Sequence, residues 1–254
     1  MYNLNQLTAW IDISTYCNAR CPQCHRNDPN GLKKASWLPL IQWSLEQFKN
    51  AWPPSSMERI KRFEICGTWG DPIMNKDIYE IVEYIIENSQ SWIQINTNGG
   101  MRDELFWWKL GVIGRGRMQV IFDIDGIDQE MHAKYRRNVD FEKLKQNVIA
   151  YVEGGGNAFA HIIVFKHNEK YLKDIIMMTR EWGIPEYLAQ ASNRFDNGPV
   201  FEFTDEQGQL QTLEEMTDKN NPIITNLGIA PLRDYNWWKR TGLKNQMANH
   251  KPDN

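Results

Sequence analysis

The 254-residue sequence predicts an α/β fold, a partial (β/α)6 TIM-like barrel with an irregular C-terminal extension, and three observations lead there. Short apolar runs alternate six times with longer amphipathic stretches, the pattern of parallel βαβ crossovers. Polar residues gather where those runs end, at Asn96, Thr97, Asn98, Asp123, Asp125, His167 and Asn168, and strand C-terminal ends are where α/β barrels carry their chemistry. The regular pattern dissolves near residue 195, short of the eight units of a closed barrel. The expected organisation is a core over 1–195 and an extension over 196–254 that either covers the barrel mouth or is a poorly ordered terminus, with partial order over 196–240 and fraying after about 245.

Each element follows in order. Residues 7–14 (LTAWIDIS) read as the first strand, with Ile11 and Ile13 on one face. A cysteine-bearing loop comes next, then a helix-like stretch around Leu38–Lys49. Residues 62–66 (RFEIC) form a second strand, a glycine-rich loop follows, and Ile78, Ile81, Val82, Ile85 and Ile86 recur at helical spacing. Residues 92–100 are a third strand ending in an Asn-Gly turn, and 118–126 a fourth. The helix after it closes on three glycines, a C-terminal stop signal. Residues 159–168 and 186–192 supply the fifth and sixth strands, with a helix ending near Trp182 between them. Residues 197–211 suit a hairpin, and the last stretch, with Trp237, Trp238, Lys239 and Arg240, is aromatic and basic. The pairs Trp107-Trp108 and Trp237-Trp238 cannot both face one way on a regular element, so one member of each stays at least partly exposed.

Bulk composition excludes several classes. At 41% hydrophobic residues the chain can build a sizeable core, so disorder is not its reading. A net charge of -3 lacks the basic excess of a dedicated nucleic-acid binder. No stretch approaches the roughly 18 apolar residues of a membrane span, and the first residues lack the basic and apolar regions of a signal peptide. The expected location is cytoplasmic. Of four cysteines, Cys17, Cys21 and Cys24 cluster; in a cytosolic chain that reads as metal binding rather than a disulfide framework.

Cys17, Cys21 and Cys24 follow the first strand directly. Three thiolates at this spacing can bind three irons of a cubane and leave the fourth open, whereas electron-transfer clusters and structural zinc sites take four ligands. The competing reading is a zinc-stabilised binding module with His25 as fourth ligand, although His25 adjoins Cys24 and makes joint tetrahedral coordination awkward.

This Cys-x3-Cys-x2-Cys run resembles the signature of the radical S-adenosylmethionine (SAM) superfamily, and the resemblance extends over about residues 7–195. It implies a [4Fe–4S] cluster on Cys17, Cys21 and Cys24, SAM bound at the open iron, and reductive cleavage of SAM to a 5′-deoxyadenosyl radical that takes a hydrogen atom from substrate. An electron donor such as flavodoxin or ferredoxin is implied too. Gly67-Thr68-Trp69-Gly70-Asp71-Pro72 is similar to the family's Gly-Gly-Glu-Pro loop, whose carbonyls, here around Trp69, Gly70 and Asp71, hold the SAM ammonium. Thr97-Asn98-Gly99 resembles a further polar turn near SAM, and is equally a simple Asn-Gly turn. Asp123-Ile124-Asp125-Gly126, then His132 and Tyr135-Arg136, resemble a run of the peptide-modifying (SPASM/twitch-type) relatives. By that likeness Asp123 takes polar contacts to the ribose and Arg136 the SAM carboxylate, unless Arg136 makes a surface salt bridge with a helix carboxylate. Val164 is placed against adenine, and Gln23 stands where the family usually has an aromatic residue. Cys66 is either a small buried hydrophobe or a hydrogen-atom donor to a substrate radical. No cysteine follows Cys66, so a cysteine-ligated auxiliary cluster is not expected. The substrate is a peptide or protein side chain on this reading, with a small molecule or nucleotide as the alternative, for which Lys166, Arg194, Lys239 and Arg240 are candidate phosphate contacts.

Overall fold

The structure, a computed structural model, describes residues 7–218 and 220–224; Trp237, Trp238, Lys239 and Arg240 lie outside them. Its elements run β1 (Leu7–Ile11), α1 (Leu45–Ala51), α2 (Pro54–Met57), β2 (Ile60–Ile65), α3 (Ile78–Asn88), β3 (Trp92–Thr97) and α4 (Glu104–Gly114). There follow β4 (Met118–Asp123), α5 (Gln129–Ala133), α6 (Phe141–Glu153), β5 (Asn157–Val164), α7 (Leu172–Glu181), β6 (Tyr187–Ala191), β7 (Val200–Thr204) and β8 (Leu210–Glu214). Strands β1 to β6 form one parallel sheet in sequence order, curled into a half-barrel with the helices outside. No helix among the described residues is long and apolar enough to cross a membrane.

Strand alternation sorts the two faces of the sheet. Phe63, Ile65, Ile93, Ile95, Val120, Phe122, Ala160 and Ile162 are fully enclosed in the main core. Ring contacts of Phe63 with Phe48 and of Phe122 with Trp107 show that this is the helix side. Between them stand Arg62, Glu64, Gln94, Asn96, Gln119, Asp123 and His161, polar groups that share the concave face with Ile121, Phe159 and Ile163. Register lines up Glu64 with Gln94 and Gln94 with Gln119 across three neighbouring strands.

Three helices were not anticipated, α2, α4 and α5, and several boundaries move, the α1 start most. The stretch around Leu38–Lys49 becomes helical only after Ser44, whose side chain caps α1 while Gln47 reaches back to the Ser44 amide, an arrangement worth about 1 kcal/mol. Pro39 disfavours helix before it, and residues 41–43 instead bond the cysteine loop, Thr15 N to Ile41 O at 2.9 Å and Trp43 N to Ile13 O at 3.0 Å. On α4 the adjacent tryptophans part as expected: Trp107 is fully buried and Trp108 is 45% exposed.

The hairpin β7–β8 docks on the end of the sheet that carries the loops. Gly31 N bonds Thr204 O at 2.8 Å, Thr204 N bonds Pro29 O at 2.9 Å and Lys166 N bonds Glu214 O at 3.1 Å. Phe203 and Leu213 from the hairpin enclose a second, smaller core with Ala19, Cys21, Tyr135 and Phe165. The cysteine loop is therefore roofed by the hairpin rather than left on the surface.

Candidate active site

The cysteine loop leaves β1 and is held by its own backbone and by three other segments. Cys24 N and Asn27 Nδ2 both donate to Cys21 O at 3.1 Å. Arg26 Nε donates to Thr15 O at 3.1 Å, and Arg20 N to Arg137 O at 2.9 Å. All three cysteines are free thiols, Cys21 buried and Cys17 and Cys24 half-buried. Burial pushes the Cys17 thiol well above the ordinary range and Cys21 up to about 12. Among the described residues no three Cys, His, Asp or Glu side chains converge as ligands of one ion, and His25 faces solvent. A single zinc would need such convergence at about 2.0–2.3 Å. A soft thiolate set whose sulfurs each meet a separate iron does not, so the loop fits an iron–sulfur cubane better than zinc.

Two nitrogen donors face the sulfurs. Asn98 Nδ2 lies 3.8 Å from Cys17 Sγ, and Arg136 Nη1 lies 3.8 Å from Cys21 Sγ.

The Gly67–Pro72 loop crosses closely over the cysteine loop. A Cβ on Gly70 would sit 2.2 Å from Ser14 O, so only glycine permits this approach. Asp71 N bonds Tyr16 O at 2.7 Å. The buried Asp71 carboxylate points inward, accepting from Ile73 N at 3.0 Å, Thr97 Oγ1 at 2.9 Å, Asn98 N at 2.9 Å and Asn98 Nδ2. Burial pushes this acid up to about 6, against the downward pull of those hydrogen bonds. Its carbonyl is taken by Met74 N at 3.0 Å. Of the three carbonyls expected to face a ligand, those of Trp69 and Gly70 accept no hydrogen bond among the described residues. Asp71 instead locks the loop to the turn after β3.

Thr97 and Asn98 serve the same lock. Thr97 Oγ1 accepts Gly99 N at 3.0 Å, Asn98 Oδ1 accepts Gly100 N at 3.0 Å, and Asn98 Nδ2 donates to Asn18 Oδ1 at 2.9 Å. Both side chains are buried and face protein partners.

At the end of β4, Arg136 is committed to two aspartates. Its Nη1 lies 3.1 Å from Asp123 Oδ2 and its Nε 2.6 Å from Asp125 Oδ2. Asp123 Oδ1 also meets His161 Nδ1 at 2.8 Å. Burial raises the Asp123 acid, but the guanidinium and imidazole more than offset it and hold the carboxyl low. Burial wins at Asp125, whose acid is raised. The Arg136 fork, expected at a SAM carboxylate, is turned here to the strand-end carboxylates and to Cys21. These ion pairs are buried and made to strand-end aspartates, unlike the surface bridge to a helix carboxylate that was the other expectation.

Val164 lies on the helix side and is fully enclosed; Ile163 and His161 occupy the concave side at this level. Cys66 is half-buried on the concave side, its thiol 3.4 Å from Glu64 O, and burial pushes it up to about 12. Gln23 replaces an aromatic contact with a tether: its Nε2 donates to Arg194 O at 2.9 Å and its Oε1 accepts from Ser192 Oγ at 2.7 Å. Beside it a cavity of ≈ 230 Å³ is lined by Cys24, Arg194, Phe195 and Phe201. His161 and Asn18 were not anticipated; alternation along β5 would have put His161 on the polar face.

The model of the radical SAM superfamily matches residues 11–178. The chain is 25% identical over 174 residues to a probable GTP 3′,8-cyclase of Methanocaldococcus jannaschii, covering 68% of this chain and 55% of that protein. It therefore spans about half the length of that relative. In fold it is similar to Streptococcus suis SuiB bound to the precursor peptide SuiA, with a TM-score of 0.59, 13% identity and coverage of 73% and 39%. It is similar also to anSMEcpe with bound AdoMet, with a TM-score of 0.57, 16% identity and coverage of 79% and 54%.

Proposed function

The chain belongs to the radical SAM superfamily, enzymes that use a [4Fe–4S] cluster and SAM, and from that premise we propose that it abstracts a hydrogen atom from a peptide or protein side chain. When bound, the cluster supplies the electron that cleaves SAM to methionine and a 5′-deoxyadenosyl radical. In this reading Cys17, Cys21 and Cys24 hold the cluster, and the Trp69 and Gly70 carbonyls receive the SAM ammonium. Asp71, Thr97 and Asn98 keep those carbonyls and the cysteine loop in fixed relation. Asp123, held by Arg136 and His161, offers a carboxylate edge to the ribose. Residues 1–195 form the core in this division, and the extension begins at 196 with the hairpin over the cysteine loop.

The observation that carries the substrate class is the concave face. It is lined by amides and a carboxylate, Gln94, Asn96, Gln119 and Glu64, of the kind that pair with peptide donors and acceptors, here bonded among themselves and to Arg62 and Asn157. Its guanidinium, Arg62, is committed to Glu64 at 2.8 Å and to Gln94. A polyphosphate needs several uncommitted cations. The peptide bound in the SuiB structure supports the same reading. The second reading, a nucleotide substrate, is favoured by the GTP 3′,8-cyclase relative, of which this chain spans about half.

The test is anaerobic. Protein reconstituted with iron and sulfide is reduced with dithionite, given SAM, and assayed for 5′-deoxyadenosine beside a Cys17/Cys21/Cys24→Ala variant. Formation in the wild type alone supports the assignment; equal formation in both overturns it. Stimulation by GTP, with a nucleotide product, would replace the peptide reading by the nucleotide one.

A further inference from the structure

Asn98 and Arg136 are the two described side chains whose nitrogens point at cysteine sulfurs, and each is fixed by other groups. Asn98 is 4% exposed and anchored by Asp71 and Asn18. Arg136 is 8% exposed, gripped by Asp125 and Asp123, with its guanidinium 5.0 Å from the Tyr135 ring centre. Neither can swing to water: Arg136 Nη1 has one N–H for Asp123 and a second for Cys21 Sγ at 3.8 Å, whereas both N–H bonds of Asn98 Nδ2 go to Asp71 and Asn18, so Cys17 Sγ at 3.8 Å shares one of them as a three-centre contact. Among the described residues no side-chain donor reaches the Cys24 sulfur. A hydrogen bond to a ligating sulfur draws electron density from it and favours the more negative, reduced cluster.

We infer that Asn98 and Arg136 raise the reduction potential of the cluster, as N–H···S donors to Cys17 and Cys21, and that Asp123 and Asp125 limit the rise by countering the guanidinium charge. This rests on the three cysteines being the cluster ligands. The two residues are positioning residues, acting through sulfur rather than on substrate. The Coulombic part has a definite sign: removing a donor lowers the potential, whereas neutralising an aspartate that faces Arg136 leaves more net positive charge beside Cys21 and raises it.

The sign reversal is what a merely structural role would not produce. The test is the midpoint potential of the SAM-free cluster, followed by electron paramagnetic resonance during reductive titration, with iron and sulfide per chain as the loading check. Asn98→Ser, too short to reach Cys17, and Arg136→Lys, which keeps the charge but not the fork, are expected to shift the potential to more negative values. Asp123→Asn is expected to shift it to more positive values. Potentials within error of wild type in loaded variants overturn the inference, as do three shifts of one sign. Failure of both donor variants to load overturns it too, since the residues would then hold the loop rather than tune the cluster. A wild type without a [4Fe–4S] signal would overturn the ligand assignment instead, which separates the two failures.

Discussion

Gly70→Ala tests the architecture at its tightest point. The added Cβ would meet Ser14 O at 2.2 Å and the Ser14 and Thr15 carbonyl carbons at 2.8 Å, where real contacts stay above 3.0 Å. Both sides are backbone, so no side chain can yield, and the two loops must part by about 0.8 Å. That stretches the 2.7 Å bond between Asp71 N and Tyr16 O to the limit of a hydrogen bond, a loss of about 1 kcal/mol. In a chain of this size such a loss lowers Tm by about 2–4 °C. The larger effect falls on SAM, because the displaced carbonyls of Trp69 and Gly70 are those proposed to meet its ammonium. A hydrogen bond to a charged group is worth about 1.5–3 kcal/mol, so Kd should rise about 10- to 150-fold. The assay is SAM titration of reconstituted, unreduced protein by equilibrium dialysis, with iron content measured in parallel. A Kd within twofold of wild type at full iron loading would refute the role of this crossing.

Cys66→Ala is expected to leave 5′-deoxyadenosine formation intact while abolishing product, because burial keeps Cys66 as the S–H form that can give a hydrogen atom; unchanged product by mass spectrometry removes that role. His132 and His167 are held down to about 3 and about 4, chiefly by burial. The unfolded chain takes up these protons below about pH 6.5 while the fold does not, so stability is present above that pH and declines as pH falls towards 4. Asp71, raised to about 6, runs the other way, giving up stability as pH climbs from about 4 to 6. Urea midpoints at pH 7.5, 6 and 5 should therefore fall for wild type and fall more steeply for Asp71→Asn; equal slopes would contradict the assignment at Asp71.

Local patterns carried much of this protein. The spacing of Cys17, Cys21 and Cys24, the six alternations of strand and helix, and the glycine-rich turn at 67–72 are features of neighbouring residues, and neighbouring residues are what a sequence displays. The opposed faces of Trp107 and Trp108 followed from helical geometry alone. What the tertiary structure decided is which distant group each polar side chain meets. Asp71 finds Thr97 and Asn98 because β2 and β3 are neighbours in register. Arg136 finds Asp123, Asp125 and Cys21 because the segment after α5 folds back over the end of β4. The side taken by Val164, by contrast, is set by alternation along β5, where Ala158, Ala160, Ile162 and Val164 are all buried and His161 faces the other way. Pairings across 11 to 115 residues, such as Arg136 with Asp125 and with Cys21, depend on strand register and crossover geometry, and those emerge only when the whole sheet closes its core.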